Sequence, residues 1–402
     1  MKTLFLHQNM PGQFRHLAPA LARQPGNQVV FITRRSDVAL PGVRRITYTP
    51  RRTAHAGTHQ YVRSYEDAVL HGQEVARVCL DLATEDFHPD VIVAHPGWGE
   101  SLFIKDVFPR ARLLSYCEYY YRGRGADVGF DPATQTGIDA ICRARARNAH
   151  LLLSLEACDR GWSPTEWQRY RHPAALLQKI AVVHDGIDTR AVLPHPDTTF
   201  ELPDGSRLTR ADEVATYAAR NLEPYRGFPL FMRALPELLR RRPAAHVVIA
   251  GGDETSYGPP PAADVTWREA MLQEVGPLDP ARVHFVGRLL YSHYLRLLQI
   301  SSAHIYLTVP FVLSWSCLEA MATGAVIVGS RTPPVEEVIE DGRNGFLVDF
   351  FDPQGLAARV ADALDARSEL GGIRECARET VVARYDLRRC LAEQIRLIRS
   401  LA

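Results

Sequence analysis

The stretch Val309-Pro310-Phe311-Val312-Leu313-Ser314-Trp315-Ser316-Cys317-Leu318-Glu319-Ala320-Met321-Ala322-Thr323-Gly324 decides how this chain is read. An apolar run over residues 303–307 precedes it and another over 325–329 follows, so the pattern predicts strand, polar turn, helix, strand. Inside that helix sits one carboxylate, Glu319, whose neighbours three and four residues away are Trp315, Ser316, Ala322 and Thr323. No basic side chain of its own helix can pair with it. Burying it alone costs about 3 kcal/mol or more. Three outcomes follow: pairing with a distant Arg, exposure to solvent, or contact with a polar ligand at the helix N-terminus, where backbone N–H groups favour an anion.

Outward from this stretch the pattern repeats. Strands are predicted at 214–218, 246–250, 283–285, 303–307, 325–329 and 345–348, with helices between. In the first half, strands are predicted at 3–7, 28–33, 91–94, 113–116, 151–155 and 180–183, and helices at 14–23, 61–84 and 137–148. Residues 189–212 contain Pro194, Pro196, Pro203 and Gly205 and no helical pattern, which places a domain junction there. The chain is therefore expected to be α/β: two Rossmann-like, doubly wound parallel-sheet domains facing a cleft. Their bounds are 1–190 and 213–386, joined by a linker at 191–212, with an amphipathic helix in 387–402 packing back on the first. Ligands in such sheets sit at the carboxyl ends of the strands.

Composition narrows the function. With 47 Lys plus Arg against 46 Asp plus Glu in 402 residues, no nucleic-acid partner is expected. No apolar run approaches the roughly 18 residues of a membrane span, and the N-terminus has no signal-peptide pattern. The seven cysteines are scattered without a C-x-x-C pair. A cytoplasmic location follows as the expectation.

Several residues could carry chemistry. Arg220 and Arg226 bracket a strand-to-helix connection and could both reach one diphosphate, since a guanidinium fork matches phosphate oxygens. A solvated pair, one bonded to Glu223, is the plain alternative. His95 closes the strand at 91–94 and could hydrogen-bond a sugar hydroxyl or assist proton transfer. Gly12, in the first strand-to-helix loop, could let backbone approach a phosphate. No P-loop, nucleophile elbow or D-x-D pair occurs, so no metal is expected and arginine would neutralise phosphate.

Taken together these residues resemble family 4 of the retaining glycosyltransferases, most strongly over 214–352. The resemblance implies the GT-B fold. In that family a G-R-x-x-x-x-K loop supplies two cations to the donor diphosphate; here Arg220 and Arg226 occupy it, with Arg for Lys and one extra residue between. The later glutamate of the family's E-x7-E motif, which binds the donor ribose, is similar to Glu319. The earlier one, which holds donor-sugar hydroxyls, is replaced by Phe311, and no Asp or Glu occurs from 302 to 318. Ser314, Trp315 and Ser316 fall where members present backbone amides to sugar and phosphate, and Gly287 with Arg288 where the base is met. His95 matches a histidine near the donor sugar.

The implied reaction moves a sugar from a nucleoside diphosphate sugar, UDP or GDP ahead of ADP, to an acceptor hydroxyl with retention. No further cofactor is implied. The acceptor would be a glycan, a lipid-linked molecule or a small molecule, with Glu118, Tyr120 and Arg122 on its side. Arg34, Arg35, Arg44, Arg45, Arg51 and Arg52 crowd one region and could steer an anionic acceptor or touch the inner membrane surface, or simply be solvated. An epimerase or phosphorylase of the same fold, and a non-catalytic nucleotide-sugar-binding protein, stay open as alternatives.

Overall fold

Two parallel sheets organise the chain. The computed structural model describes all residues except 133–135, 259–260 and 262–263. The chain divides into one unit of Met1–Gly186 with Leu387–Ala402 and a second of Ile187–Asp386.

In the first unit the strands are β1 (Lys2–Leu6), β2 (Gln28–Thr33), β3 (Arg44–Thr47), β4 (Val91–Ala94), β5 (Arg112–Tyr116), β6 (Arg160–Ser163) and β7 (Ile180–Val182). They lie in the order β3-β2-β1-β4-β5-β6-β7, every pair parallel. The central strands are near-continuous apolar runs because both faces are covered. Leu4, Leu6, Val30, Ile32 and Ile92 meet Val75, Cys79 and Leu82 of the helix Arg63–Thr84 on one face. On the other, Phe5, Phe31, Val91 and Val93 meet Phe14, Leu17 and Ile398, the last from the helix Leu387–Arg399.

Two predictions fail here. Residues 151–155 are not a strand but lie inside the helix Ala149–Ala157. Its sequence, AHLLLSLEA, contains no β-branched residue and is rich in strong helix formers, so local propensity decides where a short apolar run is ambiguous. The true neighbour of β5 is β6, a strand whose Arg-Gly-Trp-Ser carries little apolar signal. The basic segment expected as loop also contains β3, an edge strand with exposed ends and a half-buried centre.

The second unit contains β8 (Thr199–Glu201), β9 (Arg207–Thr209), β10 (Val214–Asn221), β11 (His246–Gly252), β12 (Val283–Gly287), β13 (Ala303–Tyr306), β14 (Ile327–Ser330) and β15 (Phe346–Val348). The main sheet has the order β12-β11-β10-β13-β14-β15, again parallel throughout. Segment 191–212 is not a bare linker. β8 and β9 form an antiparallel hairpin around Pro203-Asp204-Gly205, with Gly205 at φ +84° as a tight turn requires. Phe200, Leu202 and Leu208 bury against Val214, Val248, Leu297 and Ile300, so the hairpin belongs to the second unit.

Each main sheet reverses its strand order once, between β1 and β4 in the first unit and between β10 and β13 in the second. Crevices at such reversals, beyond the carboxyl ends of the strands, are where open α/β sheets hold ligands.

Candidate active site

The crevice of the second unit is walled by the segments that follow β10 and β13. β10 runs to Asn221, longer than expected, so Arg220 stands on the strand end; it is exposed and has no ion pair among the described residues. Arg226 ends a single turn, Pro224–Arg226, and Gly227 follows at φ +67°, where a Cβ would lie 2.4 Å from that of Leu307. Only glycine lets the chain turn here against β13. Arg226 Nη1 donates to Thr308 Oγ1 at 2.9 Å and to the Val312 carbonyl at 3.2 Å. A guanidinium carries five N–H donors, so donors are left over for an anion. Glu223 does not pair with either arginine: its Oε2 accepts from the backbone N–H groups of Ser256 and Tyr257, both at 2.8 Å. Burial raises its pKa, and those two N–H groups and the arginines pull it back.

Glu319 lies in the helix Trp315–Ala322 and is buried, with 5% of its surface exposed. Its partners are neither arginine nor solvent. Tyr291 donates to Oε1 at 2.8 Å and Tyr294 to Oε2 at 3.1 Å, both from the helix Tyr291–Ile300. Burial and the adjacent Glu319 carboxylate hold the Tyr294 phenol far above its ordinary pKa, so it stays a donor. Each carboxylate oxygen keeps a second lone pair. Ser314 caps the same helix, its hydroxyl accepting from Ser316 N–H at 3.3 Å and Ser316 Oγ at 3.0 Å. The Ser314 N–H goes to Tyr306 Oη, so that amide is committed within the protein. Trp315 is half-buried against the core. Gly287 ends β12 at φ +64°, and Arg288 beyond it donates to Asn221 Oδ1 at 2.7 Å and pairs with Glu254.

The position of Phe311 is filled with aromatic surface. Its ring is 5.5 Å from that of Tyr225 and 5.1 Å from that of Tyr257, and the two tyrosines stack at 5.5 Å.

The crevice of the first unit carries a different constellation. His7 follows β1, His95 follows β4 and Glu118 follows β5. Gln13 Nε2 donates to Glu118 Oε1 at 2.7 Å, His7 Nε2 meets Gln13 Oε1 at 2.8 Å, and His95 Nε2 meets Glu118 Oε2 at 3.2 Å. Each imidazole accepts a backbone N–H on Nδ1, from Asn9 and Gly97 respectively, which places the ring proton on Nε2. The direction of every bond is then fixed, and all run toward Glu118. Burial works against ionisation of Glu118, but His95, His7 and Gln13 together hold its carboxyl below the usual range. His7, by contrast, is driven down to about 3 by burial and by His95.

His95 has both ring nitrogens engaged, with Glu118 and the Gly97 N–H, and its ring lies between Trp98, at 4.8 Å, and Tyr116, at 5.5 Å. Gly12 serves His7: at φ +49°, a Cβ there would stand 2.2 Å from His7 Nε2. Arg122 is committed to the carbonyls of Arg171 and His172 at 2.7 and 2.9 Å, with its guanidinium over Tyr120. The basic crowd is mostly spent within the fold. Arg35 pairs with Asp37, Arg44 with Glu85, Arg51 with Glu74 and Arg52 with Glu66, while Arg45 bonds the Val38 carbonyl.

Sequence reasoning missed His7, Gln13, Tyr291, Tyr294, Tyr225 and Tyr257. The Tyr291/Tyr294 pair, three apart at a helix start, was the one visible signal. Among the described residues no group of three His, Cys, Asp or Glu could hold a metal, and no helix is long and apolar enough to cross a membrane.

Two doubly wound parallel sheets with ligand crevices at their reversals make this a GT-B fold. The sequence model described as "Glycosyl transferase family 4 group" matches residues 25–192, and that described as "Glycosyl transferases group 1" matches 212–366. The chain belongs to glycosyltransferase family 4. Over 204 residues it is 26% identical to a GDP-mannose-dependent alpha-(1-6)-phosphatidylinositol monomannoside mannosyltransferase of Mycolicibacterium smegmatis, covering 50% of this chain and 51% of that protein. Over 213 residues it is 26% identical to a D-inositol 3-phosphate glycosyltransferase of Streptomyces griseus, covering 48% and 43%. The chain thus spans about half the length of the curated relatives it matches. Among solved structures, HepE of Anabaena in complex with UDP superposes over 100% of both chains at a TM-score of 0.66 and 15% identity. Sucrose-phosphate synthase of Thermosynechococcus elongatus does so over 100% of this chain and 99% of its own at 0.71 and 16%. At such identities these two show the fold alone.

Proposed function

We propose that this protein transfers a glycosyl group from a nucleoside diphosphate sugar to an acceptor hydroxyl, with retention at the anomeric carbon and without a metal. The observation that carries the reading is Arg226. It is held on the wall of the second unit's crevice by Thr308 and Val312, with donors to spare and Arg220 exposed on the neighbouring strand end. Fixed cations there would stabilise charge developing on the leaving diphosphate. Glu319, steadied by Tyr291 and Tyr294, would accept the ribose hydroxyls on its remaining lone pairs. Gly287 and Arg288 would lie along the base, and the Ser314–Ser316 turn beside the sugar.

With no carboxylate on the 302–318 segment to act as a nucleophile, front-face substitution fits best: the leaving phosphate oxygen takes the acceptor's proton. The acceptor, a glycan, a lipid-linked molecule or a small molecule, would meet the first unit. Glu118, kept ionised beside its two donors Gln13 and His95, would orient an acceptor hydroxyl there, and Tyr120 would offer a ring face. A cytoplasmic setting suits a nucleotide-sugar donor. The paired arginines of 35–52 give little support to a membrane contact.

UDP, named in the HepE complexes, and GDP, named in the mannosyltransferase relative, are the first donors' nucleotides to try. Calorimetric titration of wild type, Arg226→Ala and Glu319→Ala with UDP, GDP and ADP tests the reading. Micromolar binding of one nucleotide, weakened at least tenfold in both variants, is expected. No binding of any of the three would overturn it, and binding without turnover on any acceptor would favour a non-catalytic binder.

A further inference from the structure

A polar cavity beside Glu118, wholly within the first unit, has no part in donor binding. Its volume is about 50 Å³, and Glu118, Ser115, Tyr119, Tyr121, Leu151 and Leu155 are among its walls. Ser115, near the end of β5, is 1% exposed, and its hydroxyl has no hydrogen-bond partner among the described residues. Buried polar groups are normally bonded, so an orphan hydroxyl on a cavity wall points to a polar occupant. A single water needs about 10–15 Å³ of such space. The cavity therefore admits a small polar head and the carbon that bears it, but no sugar ring.

Glu118 sets the charge of that occupant. Its side chain is 35% exposed, Gln13 and His95 donate to its two oxygens, and no Lys or Arg pairs with it among the described residues. Arg122, four residues on, donates to the carbonyls of Arg171 and His172, and Arg15, beyond Gln13, donates to the ring of His16. The carboxylate thus has hydrogen-bond donors but no permanent cation, and His95, His7 and Gln13 hold it ionised. An anion beside it would be repelled, and a neutral hydroxyl would leave the charge unbalanced. A protonated amine supplies the missing charge and three donors, enough for Ser115 Oγ and a Glu118 oxygen together. Tyr121 already carries Arg147 over its ring at 4.1 Å, so the pull on a cation comes from the carboxylate rather than from ring faces.

We infer that this cavity takes the ammonium group of an aminated acceptor, an amino sugar or aminocyclitol, whose ring stays in the crevice outside. The name acceptor rests on the transferase reading; the amine site rests on the cavity. Saturation-transfer NMR titrations on the full chain, without donor and below neutral pH, compare four probes: 6-amino-6-deoxyglucose, glucosamine, glucose and glucose 6-phosphate. One of the amino sugars should bind about tenfold tighter than glucose, and glucose 6-phosphate no tighter than glucose. Glu118→Gln should bring the amine preference to about one, and Ser115→Ala should reduce it about threefold. Equal binding of all four probes, as a cavity holding only water would give, overturns the inference, and so does binding of none. Tighter binding of glucose 6-phosphate, or a preference that survives in a folded Glu118→Gln, overturns it as well. The wild-type comparison decides even where a variant fails to fold. Amine preference without binding of any nucleotide would remove the transferase reading and leave the amine site; nucleotide binding without amine preference would do the reverse.

Discussion

Replacing Tyr294 by Phe removes one oxygen atom and leaves the ring, so it isolates a single hydrogen bond to a buried carboxylate. Hydrogen bonds to charged groups contribute about 1.5–3 kcal/mol, and an unsatisfied buried partner costs about as much. Tyr294 donates to Glu319 Oε2 from a half-buried position, whereas Tyr291 is 48% exposed, so water can replace the hydroxyl lost in Tyr291→Phe. Tyr294→Phe should therefore destabilise the second unit by about 2 kcal/mol and Tyr291→Phe by less than about 1 kcal/mol. For a unit of some 200 residues, about 2 kcal/mol lowers Tm by roughly 4–8 °C. Denaturant unfolding of Tyr294→Phe, Glu319→Gln and the double variant gives the coupling directly, and about 1–2 kcal/mol is expected for groups in contact. Nucleotide affinity should fall alongside, by up to about tenfold, if the same bond aims the carboxylate. Equal small effects for both tyrosines, with additive behaviour in the double variant, would refute the argument that Glu319 depends on Tyr294.

Three further outcomes follow from buried groups. His7 titrates at about 3 when folded against 6.5 in the free chain. The unfolded chain thus binds a proton the folded one refuses, and stability falls as pH drops from 6.5 toward 3. Its share of the slope is about 1.4 kcal/mol per pH unit, and His7→Asn should remove that share from pH-dependent denaturation between pH 4 and 6. Glu100 behaves oppositely. Burial raises it from 4.5 to about 7, with Tyr48 its hydrogen-bond donor at 2.8 Å, so stability is full below 4.5 and is lost as pH rises through 7. Glu100→Gln should stabilise the first unit at pH 8 by up to about 3 kcal/mol and change little at pH 4.5, as read from unfolding at the two pH values. Phe200→Ala, in the β8–β9 hairpin, should cost the second unit about 3–5 kcal/mol in denaturant unfolding; a mere linker residue would cost nothing.

Hydrophobic pattern carried most of the architecture. Runs such as Val-Val-Phe-Ile in β2 and His-Val-Val-Ile-Ala in β11 are apolar because both sheet faces are covered, and that condition is written in the residues themselves. Where the run is short, as in 151–155, period alone cannot separate strand from helix. In β6, Gly161 gives no signal because the side chains of Cys117 and Ile180 occupy the space a Cβ would need. Arg226 and Glu319 stood out in the sequence through local spacing, and Phe311 through the resemblance to the family motif. Their partners did not, since Tyr291 lies 28 residues from Glu319 and Glu118 lies 105 from Gln13. Such bonds are set by which strand ends the sheet order brings together. The surroundings of His95 were hidden for the same reason, since it meets Glu118 beyond β5 and stacks near Tyr116 of that strand.

The second unit occupies one continuous stretch of chain, Ile187–Asp386, while the first is interrupted by it and closes only with Leu387–Ala402. On a ribosome, domains form in the order their chain is completed. The unit that starts first therefore closes after the second: the face bearing Phe14, Leu17 and Leu21 lacks Leu391, Ile395 and Ile398 until the whole second unit has been made. A nascent chain arrested before residue 387 would carry a complete second unit and a first unit still showing bare apolar surface. Grafting experiments inherit the same asymmetry, for the second unit can be exchanged as a single insert, whereas the first must be carried as two pieces.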